Sequence, residues 1–379
     1  MSRTMRWAVA ALAAAVLGSA AVPVRAAGLE GIPGYDHVVI VVLENESYAS
    51  TWGPGSVATY INSLKAQGSF ADQYFATGHV SLDNYVAMTS GQPNNQVTTG
   101  TDCLALNLYT CVQSQDLYSS GRNIADQLEG AGLSWKGYMD SMPSPCFHAD
   151  PSMTATPPDP VQGNSTIGAG NYADRHNPFI YYNDVITNAA RCSAHDVPYT
   201  QLGADLAANA LPNFGFITPD TCHDGHDAPC AGNTGPGGLL SADLWMSQQM
   251  PQLISWLTAH NGLLLITTDE AATSDTSGCC TGGPGGIAGT GGRVGLLALG
   301  AGVPAGNVTH TQYDHMSMLR TVEDSFGISE HLNNAGSAGA EPLTGLFAPA
   351  TNVPELPLLP LAAVAGLPAA WLATRRRRR

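Results

Sequence analysis

The sequence predicts an α/β domain: a mostly parallel sheet sandwiched by helices. Two runs, residues 35–43 (YDHVVIVVL) and 263–268 (LLLITT), are continuous and apolar, as strands buried on both faces are. Segments with helical spacing alternate with such runs along the chain, which is the order that builds a parallel sheet through helical crossovers. Long Gly/Pro-rich, Cys-bearing inserts at 92–122, 139–195, 218–242 and 270–292 interrupt that alternation without dividing the chain into two folding units.

The elements follow in order. After the first strand, residues 54–68 have helical spacing and stop at Gly68, and 69–75 read as a second strand. Residues 82–90 form a helix that opens directly after Ser81. A short helix over 123–132 leads into a strand over 133–138, and 212–217 is another strand. Residues 243–259 are an amphipathic helix ended by Asn261-Gly262, followed by the 263–268 strand, a strand over 293–299 and a final helix over 316–326.

The two ends read as addresses. Residues 1–26 carry Arg3 and Arg6 ahead of an Ala-rich apolar run and finish on a small-residue site, the pattern of a secretory signal peptide cut after Ala26 or Ala27. The competing reading, an uncleaved anchor, fits the short Ala-dominated core less well. Residues 351–379 contain an uncharged apolar stretch from 356 to 374 and then five arginines. About 19 helical residues approach the ~30 Å of a bilayer core, and the arginines would stay cytoplasmic, so the segment reads as a membrane anchor or sorting signal. Three prolines weaken it as a helix, and no Leu-Pro-x-Thr-Gly motif accompanies it. The domain proper is then 27–350. These readings place the protein outside the cytoplasm and held at the cell surface; the sequence sets no oligomeric state.

Thirty acids face fifteen Lys and Arg, a formal net charge of −15. Eight of the basic residues and one acid, Glu355, lie in the end segments, so the body holds seven against twenty-nine acids, or −22. That excludes a nucleic-acid binder that neutralises phosphates with a basic face. Eight cysteines behind a signal peptide point to disulfides, with Cys103–Cys111 and Cys222–Cys230 as the short-range pairings. Cys279 and Cys280 either bond elsewhere or form a vicinal pair; a zinc site has no Cys-x-x-Cys to support it.

Ligands of such sheets gather at the C-terminal ends of the strands, so the residues leaving each strand carry the chemistry. Glu44-Asn45 follow the first strand, and Ser81-Leu-Asp83-Asn84-Tyr85 follow the second. Asp220, Cys222, His223, Asp224, His226 and Asp227 share one loop after the 212–217 strand; Asp269-Glu270 follow the 263–268 strand, and His315 precedes the last helix. Carboxylate, amide, imidazole and hydroxyl form a divalent-metal inventory with a nucleophile inside it. Ser81 at a helix start would meet backbone N–H donors and the positive dipole end, which suits a phosphoryl oxygen; the competing reading is a helix N-cap. Asp83 reads as the first-turn acid of the same helix, with a further ligand as the alternative. The 220–227 loop could equally be a disulfide-tied structural loop. Lys136 could contact phosphate or pair with Asp140.

The stretches VVIVVLENESYAS, HVSLDNYVAMTSG, WKGYMDSMP, RHNPFIYY, LPNFGFITPD, ITTDEA and YDHMSMLRTVEDSFG recur in order across residues 35–328. Together they resemble the phosphoesterase family of secreted bacterial acid phosphatases and phospholipases C, in the alkaline-phosphatase superfamily. The resemblance implies an alkaline-phosphatase-like fold and a metal-dependent phosphomonoesterase working through a phosphoserine. By motif it assigns Ser81 as nucleophile, Asn84 as its phosphate-contacting partner and His176 as a further catalytic group. Glu44, Asn45, Asp269 and Glu270 would bind metal, with His226, His315, His223, Asp220 and Asp227 binding phosphate or a second metal. Hard oxygen ligands favour Mg²⁺, Ca²⁺ or Mn²⁺, and the histidines keep Zn²⁺ open. Val80 and Asp83 depart from the prolines that the family has at those positions. The substrate would be a phosphorylated small molecule or a phospholipid. A phospholipase C-type phosphodiesterase and a non-catalytic surface module of the same fold are the alternatives.

Overall fold

Two adjacent strands carry the interior: β1 (His37–Leu43) and β7 (Gly262–Thr268), paired in parallel over their whole length. A computed structural model describes residues 28–94, 123–147, 171–230 and 234–347. The other strands are β2 (Ser69–Ala71), β3 (Tyr74–Phe75), β4 (Trp135–Met139), β5 (Asp196–Pro198), β6 (Phe214–Thr218), β8 (Leu296–Gly300), β9 (Asn307–Thr309) and β10 (Tyr313–Asp314). Eight of them form one sheet in the order β5-β4-β6-β1-β7-β8-β2-β9, and β3 pairs with β10 apart from it. Pairings from β5 to β7 are parallel, and β8 runs antiparallel to both neighbours.

The continuous apolar runs are explained by burial on both faces. Val38, Ile40 and Val42 of β1 join one hydrophobic cluster, while Val39, Val41 and Leu43 join the other. The first cluster is closed by α3 (Ser81–Ser90), α4 (Ile124–Gly130) and α9 (His315–Ser325), through Tyr85, Met88, Leu128, Met318 and Val322. The second is closed by α2 (Thr59–Leu64) and α8 (Gly238–Ala259), through Ile61, Leu64, Met246, Met250 and Leu257. Short helices α1 (Tyr48–Trp52), α5 (Asn183–Ile186), α6 (Ala189–His195) and α7 (Thr200–Ala207) complete the described set.

The structure departs from the sequence reading at several places. The expected 69–75 strand is two strands in two sheets. It breaks at Asp72, whose backbone carbonyl accepts from Arg293 Nε at 2.5 Å and whose carboxylate meets His310 at 2.9 Å. The 54–68 helix is only Thr59–Leu64, because the Gly53-Pro54-Gly55 start forms a turn. Lys136 pairs with Asp205 at 2.6 Å and not with Asp140. Cys222–Cys230 is bonded as expected, Cys279–Cys280 form the vicinal pair, and Cys146–Cys192 join residues 46 apart, a span that spacing does not reveal. Cys103–Cys111, residues 1–26 and the 351–379 segment lie outside the described residues. Among the described residues no helix is long and apolar enough to cross a membrane.

One buried acid makes the fold's stability pH-dependent. Glu323 of α9 is fully buried; its Oε1 accepts from Leu332 N at 2.9 Å, while Oε2 has no hydrogen-bond partner. Burial pushes its carboxyl up to about 8. Between roughly pH 4.5 and that value the native state keeps a proton that the unfolded state has lost, so stability falls as pH rises. Glu323→Gln keeps the Leu332 contact and removes the titration. Thermal melts should coincide for the two proteins near pH 4 and separate by pH 8, with the variant melting higher; parallel curves would refute the assignment.

Candidate active site

The acids at the C-terminal ends of β1 and β7 are set side by side by strand register. Leu43 pairs with Thr268, so the next residues, Glu44 and Asp269, emerge together. Backbone bonds then lock them: Asp269 N donates to Leu43 O at 2.9 Å, Glu44 N to Asp224 O at 2.8 Å, and Asn45 N to Asp269 Oδ1 at 3.0 Å. Both acids are fully buried.

Ser81 is the first residue of α3, and the N-cap is Val80, which makes no side-chain cap bond. Its hydroxyl is therefore not spent on capping the helix. It donates to Glu44 Oε2 at 3.1 Å. Asn84, one turn on, acts as a latch for the preceding segment. Its Oδ1 accepts from Thr77 N at 2.9 Å and Gly78 N at 3.2 Å; its Nδ2 donates to Gly78 O, Val80 O and Glu270 Oε2 at 3.1–3.2 Å. Asp83 is the first-turn acid expected, and it is buried.

His176 sits in a 3₁₀ turn with its Nε2 3.2 Å from Glu44 Oε1 and its Nδ1 3.3 Å from Asp224 Oδ2. The ring lies flat against Tyr85, centroids 5.3 Å apart and planes at 9°. Glu44, His176 and Asp224 each offer a ligand atom, all within 4.8 Å of one another. None of Glu44 Oε1, Asp224 Oδ2, Asp269 Oδ2 or the two His176 nitrogens makes a hydrogen bond, although all are buried. Burial and mutual repulsion with Asp269 and Asp224 hold Glu44 well above the ordinary carboxylate range. Asp224 is likewise raised, chiefly by burial, and burial pushes Asp269 up to about 6. His176 is held well below its usual value by burial and then by Arg175. Orphaned donor atoms converging among buried acids fit a divalent cation, which would restore their charge and fill their coordination.

The remaining candidates surround this cluster. Asp227 Oδ1 meets His226 Nδ1 at 2.8 Å, and Arg175 Nη2 lies 3.1 Å from His226 Nε2. A carboxylate only accepts and a guanidinium only donates, so Nδ1 carries the proton and Nε2 presents its lone pair toward Arg175. His315 uses both ring nitrogens within the protein, Nδ1 with Tyr74 OH at 2.9 Å and Nε2 with the Asp269 carbonyl at 2.6 Å. Burial pushes it down to about 4, so it stays neutral and holds the backbone behind Asp269. His223 pairs with Asp140 at 2.9 Å and Asp220 at 3.0 Å and is part-exposed. Asp220 also accepts from Ser141 Oγ at 2.5 Å and Cys222 N at 3.0 Å. Asp220, Cys222 and His223 also offer ligand atoms within 4.8 Å of one another, and the Asp220 carbonyl accepts from Asp224 N at 2.8 Å.

The sequence reading did not assign Asp224. Its signal is the glycine that follows: Gly225 has φ +113°, and a Cβ there would lie 2.9 Å from the Glu44 carbonyl. That close approach presses the loop onto Glu44 and turns Asp224 inward.

An eight-stranded mixed sheet with helices on both faces thus carries a buried serine–carboxylate–imidazole cluster at its strand ends. The chain belongs to the Phosphoesterase family, whose model matches residues 54–329, and is a hydrolase of phosphoric esters. It is similar to the Phosphatidylinositol-3-phosphatase of Mycobacterium tuberculosis, 26% identical over 338 residues, covering 89% of this chain and 91% of that one. A Kluyveromyces lactis protein named a probable acid phosphatase is 26% identical and covers 83% of this chain, which spans 63% of it. The Aspergillus fumigatus acid phosphatase is 24% identical over 70% of this chain, which spans 50% of that relative. Among solved structures, a Vibrio parahaemolyticus protein of the alkaline phosphatase superfamily superposes with TM-score 0.49 at 12% identity, over 78% of this chain and 67% of that one. Murine ectonucleotide pyrophosphatase/phosphodiesterase 5 gives TM-score 0.49 at 8% identity, over 82% and 100%.

Asp224→Asn keeps the Oδ1 that accepts from His226 N at 2.8 Å and neutralises the orphaned Oδ2. Titration with Mn²⁺ should show affinity reduced by at least the roughly 10–100-fold that residues merely orienting a ligand are worth. Unchanged affinity would remove Asp224 from the cation-binding set.

Proposed function

We propose that the protein is a metal-dependent phosphomonoesterase that works through a phosphoserine at Ser81. The observation that carries this reading is the Ser81 hydroxyl, uncommitted to capping and bonded to Glu44 Oε2 at 3.1 Å, at the N-terminus of a buried ten-residue helix. Glu44, Asn45, Asp269 and Glu270 would hold a divalent cation, with His176 and Asp224 on the other side of Glu44. When bound, the cation supplies Lewis-acid stabilisation of the phosphoryl oxygens and lowers the pKa of the serine hydroxyl.

The chain's own residues do the rest. Ser81 Oγ attacks phosphorus as its proton passes to Glu44 along their hydrogen bond, and the P–O bond to the leaving group breaks in line, the departing oxygen taking a proton from solvent to leave as the alcohol. Water then attacks the phosphoserine from the side the alcohol left; Glu44 returns its proton to Ser81 Oγ, the water proton goes to solvent, and two inversions return serine and release phosphate. Backbone N–H groups at the start of α3 point at the phosphoryl oxygens. Asn84 keeps the 77–80 segment, and so Ser81, in register. Arg175, buried beside His226, offsets negative charge that develops on phosphorus.

The Mycobacterium tuberculosis relative is named for removal of a terminal phosphate from a lipid, and this chain spans 91% of it. That supports a phosphomonoester, a phosphorylated lipid among the choices, over the diester of a phospholipase C. Three disulfides among the described residues support the expectation of export to an oxidising compartment.

Ser81→Ala should lower p-nitrophenyl phosphate hydrolysis by roughly 10³-fold or more with metal content retained, since removing an essential nucleophile leaves only binding and charge stabilisation. EDTA dialysis of wild type should abolish turnover, and a divalent metal should restore it. Wild-type rates in the serine variant would overturn the mechanism. Faster turnover of a phosphocholine diester than of the monoester would instead favour the phospholipase C reading.

A further inference from the structure

We propose that the flank of the molecule formed by α2, α8 and the segment between α1 and α2 is a docking face for a lipid bilayer, which presents the phosphorylated headgroup to the site beside it. The inference rests on the phosphomonoesterase reading above.

The first observation is the distribution of charge. The 22 residues of α8 contain one charged side chain, Asp243. That residue is buried and turned inward, where it caps α2 by accepting from Ile61 N at 2.8 Å, Tyr60 N at 3.0 Å and Thr59 Oγ1 at 3.3 Å. Residues 47–64, which lead into and form α2, contain no Asp, Glu, Lys or Arg; the charges that bound them are Glu46, whose carboxylate meets the Leu239 backbone at the start of α8, and Lys65, the C-cap of α2, which lies over the Trp52 ring. A flank with so few charges is conspicuous on a body carrying −22.

The second is exposed apolar surface on that flank. Among the described residues five large hydrophobic side chains are exposed, and three are here: Val57 at 51%, Leu240 at 44% and Leu244 at 50%. Leu240 and Leu244 are one helical turn apart on the same side of α8. Val57 lies two residues before Thr59, which Asp243 holds against α8. The three therefore gather around one helix junction.

The third is position. Gly238 N, at the start of α8, donates to Asp227 O at 2.7 Å, and Asp227 is the residue that fixes His226. The face thus continues from the rim of the site. A membrane surface suits it because apolar side chains gain by leaving water for the interface, and the two acids nearest the flank, Asp243 and Glu46, are turned onto backbone N–H groups of α2 and α8. A soluble phosphate ester would have no use for such a rim.

The test uses the full chain and its Leu240→Ser/Leu244→Ser double variant, with Val308→Ser on edge strand β9 as an exposed apolar control elsewhere. Phosphatidylcholine vesicles carrying a minor fraction of phosphatidylinositol 3-phosphate serve as probe, and p-nitrophenyl phosphate as the soluble substrate. The double variant should keep the wild-type rate on the soluble ester. It should lose roughly ten-fold or more in vesicle co-sedimentation and vesicle turnover, as expected when two half-exposed leucines no longer enter an interface. Val308→Ser should match wild type in every assay. Equal co-sedimentation of wild type and the double variant, or an equal loss in Val308→Ser, would overturn the docking face. A wild type that sediments with vesicles as expected but hydrolyses neither substrate would sink the phosphomonoesterase reading and leave the face standing.

Discussion

The structure is organised around the burial of several carboxylates within reach of one another. Glu44, Asp224 and Asp269 are each almost wholly shielded from water, and each is pushed above its ordinary pKa chiefly by that shielding. Burying a charged carboxylate costs several kcal/mol unless something of opposite sign sits beside it. Relaxation outward is prevented by the backbone. Asp269 N is tied to Leu43 O, Glu44 N to Asp224 O, and the Asp269 carbonyl to the His315 ring. The acids are held in place by the sheet and its neighbours, and a divalent cation is the partner that their orphaned oxygens fit.

This constraint gives the long inserts their purpose. The sheet alone supplies Glu44 and Asp269; the groups that complete the cluster come from loops folded over the strand ends. Cys222–Cys230 ties the loop that carries Asp224 and His226. Thr290 N reaches across to Thr77 O at 3.0 Å, so the insert after Asp269-Glu270 supports the segment leading to Ser81. Each tie fixes a group that would otherwise move to satisfy its own hydrogen bonding. A buried cluster with unsatisfied donors and acceptors persists only if the surrounding structure denies it an easier arrangement.

How much of this the sequence reveals follows from the kind of signal each part leaves. β1 and β7 are legible because burial on both faces demands continuous apolar residues, and the acids after them stand out by contrast. The helix behind Ser81 is legible from its spacing, but its first residue is not. Whether Ser81 caps the helix or enters it depends on the backbone of Val80, which no composition encodes. Asp224 is harder still. Its loop offers three aspartates and two histidines within eight residues, and their orientation is decided by a disulfide and by the close approach at Gly225. Short strands such as β5 and β9 are three residues long, too short for any period to register. The pairing of Cys146 with Cys192 is a property of the folded chain, since 46 residues of sequence separate them.

The net charge of the body bears on both proposals at once. At −22 it repels phosphate esters and anionic lipid surfaces alike at long range. Two local exceptions offset this. Inside the site, the buried acids that contribute to the deficit are the ones proposed to bind a cation, and with it bound the field a phosphoryl group meets there would be inverted. Outside it, the α2–α8 flank carries few charges, and its acids Asp243 and Glu46 are engaged with backbone N–H groups of α2 and α8. A substrate that is free in solution needs only the first exception. One embedded in a bilayer needs both, and needs them adjacent: Asp227, which holds His226, accepts from Gly238 N at the start of α8 at 2.7 Å.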